Sequence, residues 1–257
     1  MTIHPTAIVS PSAELGPDVD IRPYSVIGPE VKIGKGTIVG PHAVIDGDCE
    51  IGEFCHIHPF STLGYPPQDI SYAGEHTRVI IGDNNIIREG VTIHRGTKKG
   101  GGLTKIGNNN LIMAYVHIAH DCILGDNIIM ANVATLAGHI IIDDHAIVGG
   151  LVAIHQFVRI GTYSYIGGKT GIIKDIPPYM LASGPRAKLF GPNIIGLRRK
   201  GFSEEAIDAL RRSFKIIFRS NLTLNEALTQ IEKDVPPLEE VKTLVEFVQN
   251  SSRGVTH

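Results

Sequence analysis

IGPEVKIGKGTIVGPHAVIDGDCEIGEFCHIHPFSTLG, residues 27–64, carries an aliphatic residue at every sixth position: Ile27, Ile33, Val39, Ile45, Ile51, Ile57 and Leu63. The same register extends back through Ile21, Leu15 and Val9 to Ile3. Going forward, it resumes after one break at Ile81, Ile87 and Ile93, and after a second break it runs from Ile106 to Ile172. Two positions before each anchor the residue is usually small or β-branched, as in Ser25, Val31, Thr37, Ala43, Cys49, Cys55 and Ser61. Residues two apart on an extended chain face the same way, so anchor and small neighbour point into one interior. Gly, Asn and Asp follow the anchors in IGPE, IGKG, IGDN and IGNN and supply turn residues for a corner. Neither a helical period nor simple alternation fits. A six-residue repeat predicts a parallel β-helix, in which a coil buries its interior only by stacking on its neighbours. With three hexads per coil, residues eighteen apart should stack at about 4.7–4.9 Å.

The two breaks, residues 64–77 (GYPPQDISYAGEHT) and 95–103 (RGTKKGGGL), must loop out without ending the prism. Long loops on a rigid scaffold are favoured places for function. The hexads stop near Pro177 and Pro178, and from about residue 187 the pattern becomes helical. Ser203 reads as an N-cap before two acidic residues, with Ile207, Leu210, Phe214 and Ile217 on one face. Thr223 to Glu226 reads as a capping box, and a further helix is expected from about Pro237 to Gln249. The expected organisation is a β-helix over residues 1–186 and a helical C-terminal domain over 187–257.

Composition narrows the function classes. No apolar run is long enough to span a bilayer, and hexads begin at residue 3, where a secretory leader would lie; the expectation is a cytoplasmic protein. Three cysteines give no disulfide framework, and Cys49 and Cys55 fall in the small inward slot. Residues 1–186 hold thirteen Lys and Arg against seventeen Asp and Glu, which argues against a nucleic-acid partner. Arg198, Arg199, Lys200, Arg211, Arg212 and Lys215 form either a local basic patch or a solvated helix face.

Histidines crowd one stretch: His94, His117, His120, His139, His145 and His155. Stacking puts His120 one coil from Gly138 and Gly138 one coil from Gln156, with His139 above Asp121. An imidazole titrating near 6.5 can take a proton from a hydroxyl. A backbone N–H at Gly138 can stabilise an oxyanion, and Asp121 can fix the tautomer of His120. These are the parts for acyl transfer. Zinc is the rival, since some β-helices of this shape are carbonic anhydrases. Their close histidine pair is separated by four residues, whereas His117 and His120 are separated by two.

The segments IHRGT (93–97), GGGLTKIG (100–107), HIAHDC (117–122), ATLAGH (134–139), AIHQF (153–157), PPYM (177–180) and GLRRKGFS (196–203) resemble the UDP-N-acetylglucosamine O-acyltransferases that open lipid A biosynthesis. The resemblance spans nearly the whole chain. It implies a left-handed β-helix, a homotrimer with sites in the clefts between prisms, and no cofactor or metal. The donor it implies is an R-3-hydroxyacyl group on the phosphopantetheine arm of acyl carrier protein, passed to the sugar 3-position of UDP-N-acetylglucosamine. By motif match His120 is the general base, Asp121 its partner and Gly138 the oxyanion donor. His117, His139, His155 and Gln156 match substrate contacts, as do Gln68 and Asp69 in the first break. Asn193, Arg199 and Lys200 match the nucleotide side.

Gly168 matches the position that sets acyl length. It lies forty-eight residues past His120, roughly 13 Å along the axis. Lacking a side chain, it leaves room for an acyl group nearer fourteen carbons than ten. Ser71, Ile195 and Lys200 depart from the enterobacterial pattern of lysine, glutamate and a second arginine. Lysine cannot make the bidentate fork of arginine. The accepted sugar therefore stays open to a 3-amino analogue or another nucleotide sugar. The reading from a different class is a non-catalytic β-helix scaffold, which needs no His-Asp pair beside a glycine.

Overall fold

Each hexad folds as a strand of two to four residues followed by a corner, and three corners close a coil. The structure, a computed structural model, describes residues 1–257. The strands gather into three sheets that form the faces of a prism, the left-handed parallel β-helix. The first face begins with Thr2–Ile3, the second with Ile8–Val9 and the third with Glu14–Leu15. Register follows the eighteen-residue rule, as in Ile3 on Ile21 and Ile106 on Leu124. It jumps to thirty at His56 on Ile86 and to twenty-five at Thr92 on His117, where the two excursions are absorbed. Both excursions leave from the corner between the second and third faces, one coil apart. They are slightly shorter than the sequence suggests, because Gly64 and Tyr65 extend one strand and Leu103 begins another.

The anchors make the core. Ile21, Ile45, Ile57, Leu63, Ile93, Ile118 and Ile166 are wholly buried, as are Cys49 and Cys122. Ile3 is 41% exposed because no coil lies beneath it. The turn residues of IGKG, IGDN and IGNN put Gly36, Asn84 and Asn109 at the corner, all with positive φ. The left-handed backbone position falls on the third residue after the anchor, not on the Gly that often follows it directly. That third residue is Tyr24, His42, Phe60, Tyr115, Asp121, His139, Leu151 or Phe157, with φ between 53° and 66° throughout the non-glycine set. Left-handed backbone costs about 1–2 kcal/mol for a residue with a Cβ. Stacking one coil on offsets it: the rings of Tyr24 and His42 are 5.1 Å apart, and those of His42 and Phe60 also 5.1 Å.

Past residue 176, Met180–Ser183 continues the first face in parallel, and Lys188–Pro192 returns antiparallel to it. The helical pattern expected from 187 therefore starts later. It comprises α1 (Ile194–Arg199), α2 (Glu204–Arg219), α3 (Leu224–Asp234) and α4 (Glu239–Gln249). Ser203 caps α2, and Thr223 with Glu226 forms the capping box of α3. Helix α1 and the two strands before it are elements that the sequence reading lacked.

The three outer faces differ in chemistry. The third presents Glu14, Lys32, Glu50, Arg78, Lys105 and Arg159 at its outward positions, with Ile80, Ile123 and Ile141 between them. The first presents Ile38, Ile86, Leu111, Ile129 and Ile147 with Asp20 and His56, and the second Ile8, Val26, Val44 and Ala153 with Thr62, Thr92, His117 and Thr135. The corner joining those two carries exposed Tyr24, Phe60, Tyr115 and Leu151.

Ile141 and Ile142 share a strand but face outward and inward, at 37% and 1% exposure. Ile142→Ala should therefore lower unfolding stability by about 2–5 kcal/mol, the range for an isoleucine truncated in a packed core. Ile141→Ala should change it by less than about 1 kcal/mol. Urea unfolding midpoints of the two variants check the facing.

Candidate active site

The corner after Ile118 builds the site from consecutive residues. Asp121 takes the left-handed position at φ 60°, which folds its carboxylate under the chain and leaves the side chain 1% exposed. One oxygen accepts from His120 Nδ1 at 2.7 Å and from the Thr97 hydroxyl at 2.7 Å. The other accepts from the Thr97 backbone N–H at 2.8 Å. The Asp121 N–H donates to Thr104 Oγ1 at 2.8 Å. Thr97 lies on the second excursion, and Gly100 of that loop packs so closely that a Cβ would fall 2.0 Å from Asp121 Cγ. The second excursion thus clamps a carboxylate. Thr97 and Thr104 lie within the IHRGT and GGGLTKIG segments, but nothing in their spacing pointed at Asp121.

One coil further on, the stacking rule places Gly138 against His120. A Cβ on Gly138 would come within 2.5 Å of His120 Cε1 and 2.8 Å of Nε2, so the imidazole lies across the bare glycine backbone. Gly138 is buried and its N–H donates to no group of the chain. An unspent buried donor beside a histidine ring calls for an acceptor. His139 stacks on Phe157 with ring centres 4.5 Å apart and meets His120 edge-on at 5.1 Å. Its Nε2 lies 3.8 Å from Asp121. His117 points out from the second face with Nδ1 2.7 Å from Thr92 Oγ1. His94 sits buried against the edge of His117, and its Nδ1 has no partner.

Burial lowers the pKa of these neighbours. It pushes the His94 imidazole down to about 4, with His117 and then His120 adding to the effect. His117 is lowered by burial and by His120. His139 is also lowered, mainly by burial, against the pull of Asp121. The ligand atoms of His120, Asp121 and His139 lie within 4.8 Å of one another, close enough for a cation. A metal there would have to displace the hydrogen bonds that Asp121 accepts from His120 and Thr97.

The other expected residues divide by corner. Asp69 accepts from the Ser71 N–H at 2.7 Å, which holds its carboxyl below the usual range, and the charges of His120 and Lys99 act in the same direction. Gln68 beside it is exposed. His155 and Gln156 are exposed at the His120 corner, and His155 Nδ1 meets Arg253 of the C-terminal tail at 2.8 Å. Arg253 carried no signal in the sequence. Asn193, Arg199 and Lys200 sit elsewhere, around a cleft of about 620 Å³ at the corner between the third and first faces, with His145, Tyr163 and Tyr165. There the Asn193 side chain caps α1 and donates to the Tyr163 carbonyl at 3.2 Å. Of the basic patch, Arg198 is paired with Glu204 and Arg211 with Asp208.

Gly168 corrects the stacking argument. It lies on the corner between the first and second faces, over Gly150, and not on the His120 corner. Forty-eight residues are two coils plus two faces, so the axial offset stands but the remainder carries Gly168 around the prism. Within one chain it does not share a cleft with His120. A Cβ there would meet the Gly150 backbone, tightly at its oxygen (3.2 Å), and no left-handed backbone demands glycine.

The chain matches the profile described as UDP-N-acetylglucosamine O-acyltransferase, domain 2, over residues 175–256, and that of bacterial transferase hexapeptide repeats over 30–65 and 103–138. It is 55% identical to the acyl-[acyl-carrier-protein]--UDP-N-acetylglucosamine O-acyltransferase of Thermodesulfovibrio yellowstonii, over 98% of each chain. It is 57% identical to the protein of that name from Syntrophobacter fumaroxidans, over 99% of each. Among solved structures, UDP-N-acetylglucosamine acyltransferase from Bacteroides fragilis superposes over the whole of both chains with a TM-score of 0.97 at 43% identity.

The buried His94 makes a prediction about pH. Its folded value of about 4 lies below the ordinary 6.5, so between those values the unfolded chain binds a proton that the folded one refuses. Its contribution is complete above about pH 6.5 and is lost as pH falls toward 4, in total about 3 kcal/mol. The His94 ring should stay neutral at pH 5 by NMR. Stability should fall less steeply between pH 7 and 4.5 in His94→Gln than in the parent.

Proposed function

The chain belongs to the UDP-N-acetylglucosamine O-acyltransferase family, and from that premise we propose which of its atoms carry the reaction. The enzyme transfers an acyl chain from acyl carrier protein to UDP-N-acetylglucosamine. The finer reading is that the chain is an R-3-hydroxyacyl group, that it goes to the sugar 3-hydroxyl, and that the step opens lipid A biosynthesis.

The observation that carries the mechanism is the His120 Nδ1 to Asp121 hydrogen bond at 2.7 Å beside the unspent N–H of Gly138. With Nδ1 committed to the carboxylate, Nε2 holds the lone pair. Nε2 takes the proton of the sugar hydroxyl as that oxygen attacks the thioester carbonyl. Negative charge gathers on the carbonyl oxygen, where the Gly138 N–H donates to it. Collapse expels the pantetheine thiolate, which recovers the proton from the imidazolium. Asp121 stabilises that imidazolium while it exists. Asp69, oriented by Ser71, stands near enough to help place the sugar.

The distribution of residues over three corners supports a homotrimer. The third face carries most of the outward charges and suits water, whereas the isoleucines of the first face and the exposed corner beside it suit burial. If each copy lays its first face against the second face of the next, the corner bearing Asn193, Arg199 and Lys200 meets the neighbour's His120 corner. Gly168 then borders the same cleft from its inner edge and leaves room for a long acyl chain. No helix is long and apolar enough to cross a membrane; that the reaction runs in the cytoplasm is part of the proposal.

His120→Ala should lower kcat by about 10²–10⁴-fold with little change in KM, measured with acyl carrier protein thioesters. A wild-type rate would end the assignment of the base. Co-expression of His120→Ala with Arg199→Ala should restore activity to mixed oligomers, since some clefts then hold both native residues. No restoration would remove the shared cleft. Gly168→Met should shift donor preference toward shorter chains, read from product masses.

A further inference from the structure

We propose that Thr97 is a positioning residue that sets the tautomer of His120 by fixing which atoms around Asp121 are donors. The inference rests on the reading of His120 as the base. The Thr97 hydroxyl oxygen accepts from the Gly100 backbone N–H at 3.2 Å, capping the short 3₁₀ turn Lys98–Gly100. An amide N–H can only donate. The threonine hydrogen is therefore free to point the other way, at Asp121, 2.7 Å off. The Thr97 N–H, a second obligate donor, takes the remaining carboxylate oxygen at 2.8 Å. Both oxygens of Asp121 are thereby held as acceptors before His120 approaches. The imidazole must then present Nδ1–H to the carboxylate, which leaves Nε2 as the acceptor above Gly138.

The polarity runs from Gly100 N–H through Thr97 O–H to Asp121 and meets Nδ1–H of His120 there. Charge-assisted bonds of this kind are the stronger ones, and Asp121 is buried deeply enough that water does not replace them. The glycine at position 100 belongs to the device, since any side chain would strike Asp121. The second excursion acts as a strap over the carboxylate, which accounts for its leaving the coil immediately beside that corner.

Thr97→Val, Thr97→Ser and His120→Ala, alone and with Thr97→Val combined with His120→Ala, test the proposal in the full-length enzyme. Thr97→Val should lower kcat roughly ten- to hundredfold, the loss expected for a hydrogen bond to a charged group, with both KM values within about threefold. Thr97→Ser should recover most of the loss, because it keeps the hydroxyl. In the His120→Ala background Thr97→Val should add less than about twofold, since a residue acting through His120 has nothing left to act on. Nitrogen-15 NMR of labelled histidine, with His120→Ala identifying the signal, should report the Nδ1–H tautomer in the parent and a mixture in Thr97→Val. Wild-type kcat in Thr97→Val, a Thr97→Ser variant as slow as Thr97→Val, or full additivity with His120→Ala would each overturn the role of Thr97. If Thr97→Val fails to fold, Thr97→Ala takes its place, judged by the same cycle and by its melting temperature. A fully active His120→Ala would instead overturn the base, and so separates the two readings.

Discussion

Hydrogen bonding between successive coils ties each residue to its counterpart one turn on, and everything else in the molecule follows from that tie. A side chain pointing inward must fit directly above another, so Ile, Val, Ala, Ser and Cys recur where larger residues would leave the stack. A backbone turned at one corner forces the same turn in the next coil, because Phe157 N–H must reach Gly138 carbonyl and His139 N–H must reach His120 carbonyl. The site inherits this rigidity. His120 does not need a packed pocket to hold it beside Gly138, since strand spacing sets the distance and the absent side chain of Gly138 makes the room.

The corners carry both strain and chemistry. Asp121 and His139 occupy left-handed positions that cost free energy for residues with a Cβ, and each is stabilised by what lies one coil away. His139 stacks on Phe157, and Asp121 accepts from Thr97 and donates its own N–H to Thr104 Oγ1. In a prism with flat faces, only corners turn side chains sharply enough to converge. That is why the reactive groups gather on one edge, and why the two excursions that serve it leave from the same edge.

The period made the fold legible, since a hexad register admits few architectures and places the anchors directly in the core. The His120, Asp121 and Gly138 juxtaposition was legible for the same reason, being one application of the eighteen-residue rule. Other features were not. The left-handed position is occupied by Tyr24, Phe60 and Leu151 as readily as by Asn84 or Asn109, so turn chemistry does not mark it. Thr97 and Arg253 reach their partners from outside the periodic coil, where no register applies. Strand Lys188–Pro192 lacks a hexad because it pairs antiparallel, and it delayed the helices to Ile194.

Gly168 is the instructive failure, because its arithmetic was right and its geometry was not. Distance along the axis depends on the number of coils, but position around the axis depends on the remainder. Two-thirds of a coil carries a residue from the His120 corner to an edge that the same prism cannot bring back. The residues at Asn193, Arg199 and Lys200 stand on yet another edge. A β-helix cannot bend to reunite them, since its coils are locked by the same hydrogen bonds that place His120. If the residues proposed for the site act together, prisms set side by side would unite the edges that carry them. The proposed homotrimer would cover the apolar outward residues of the first face, such as Ile129 and Ile147, and the exposed corner beside them.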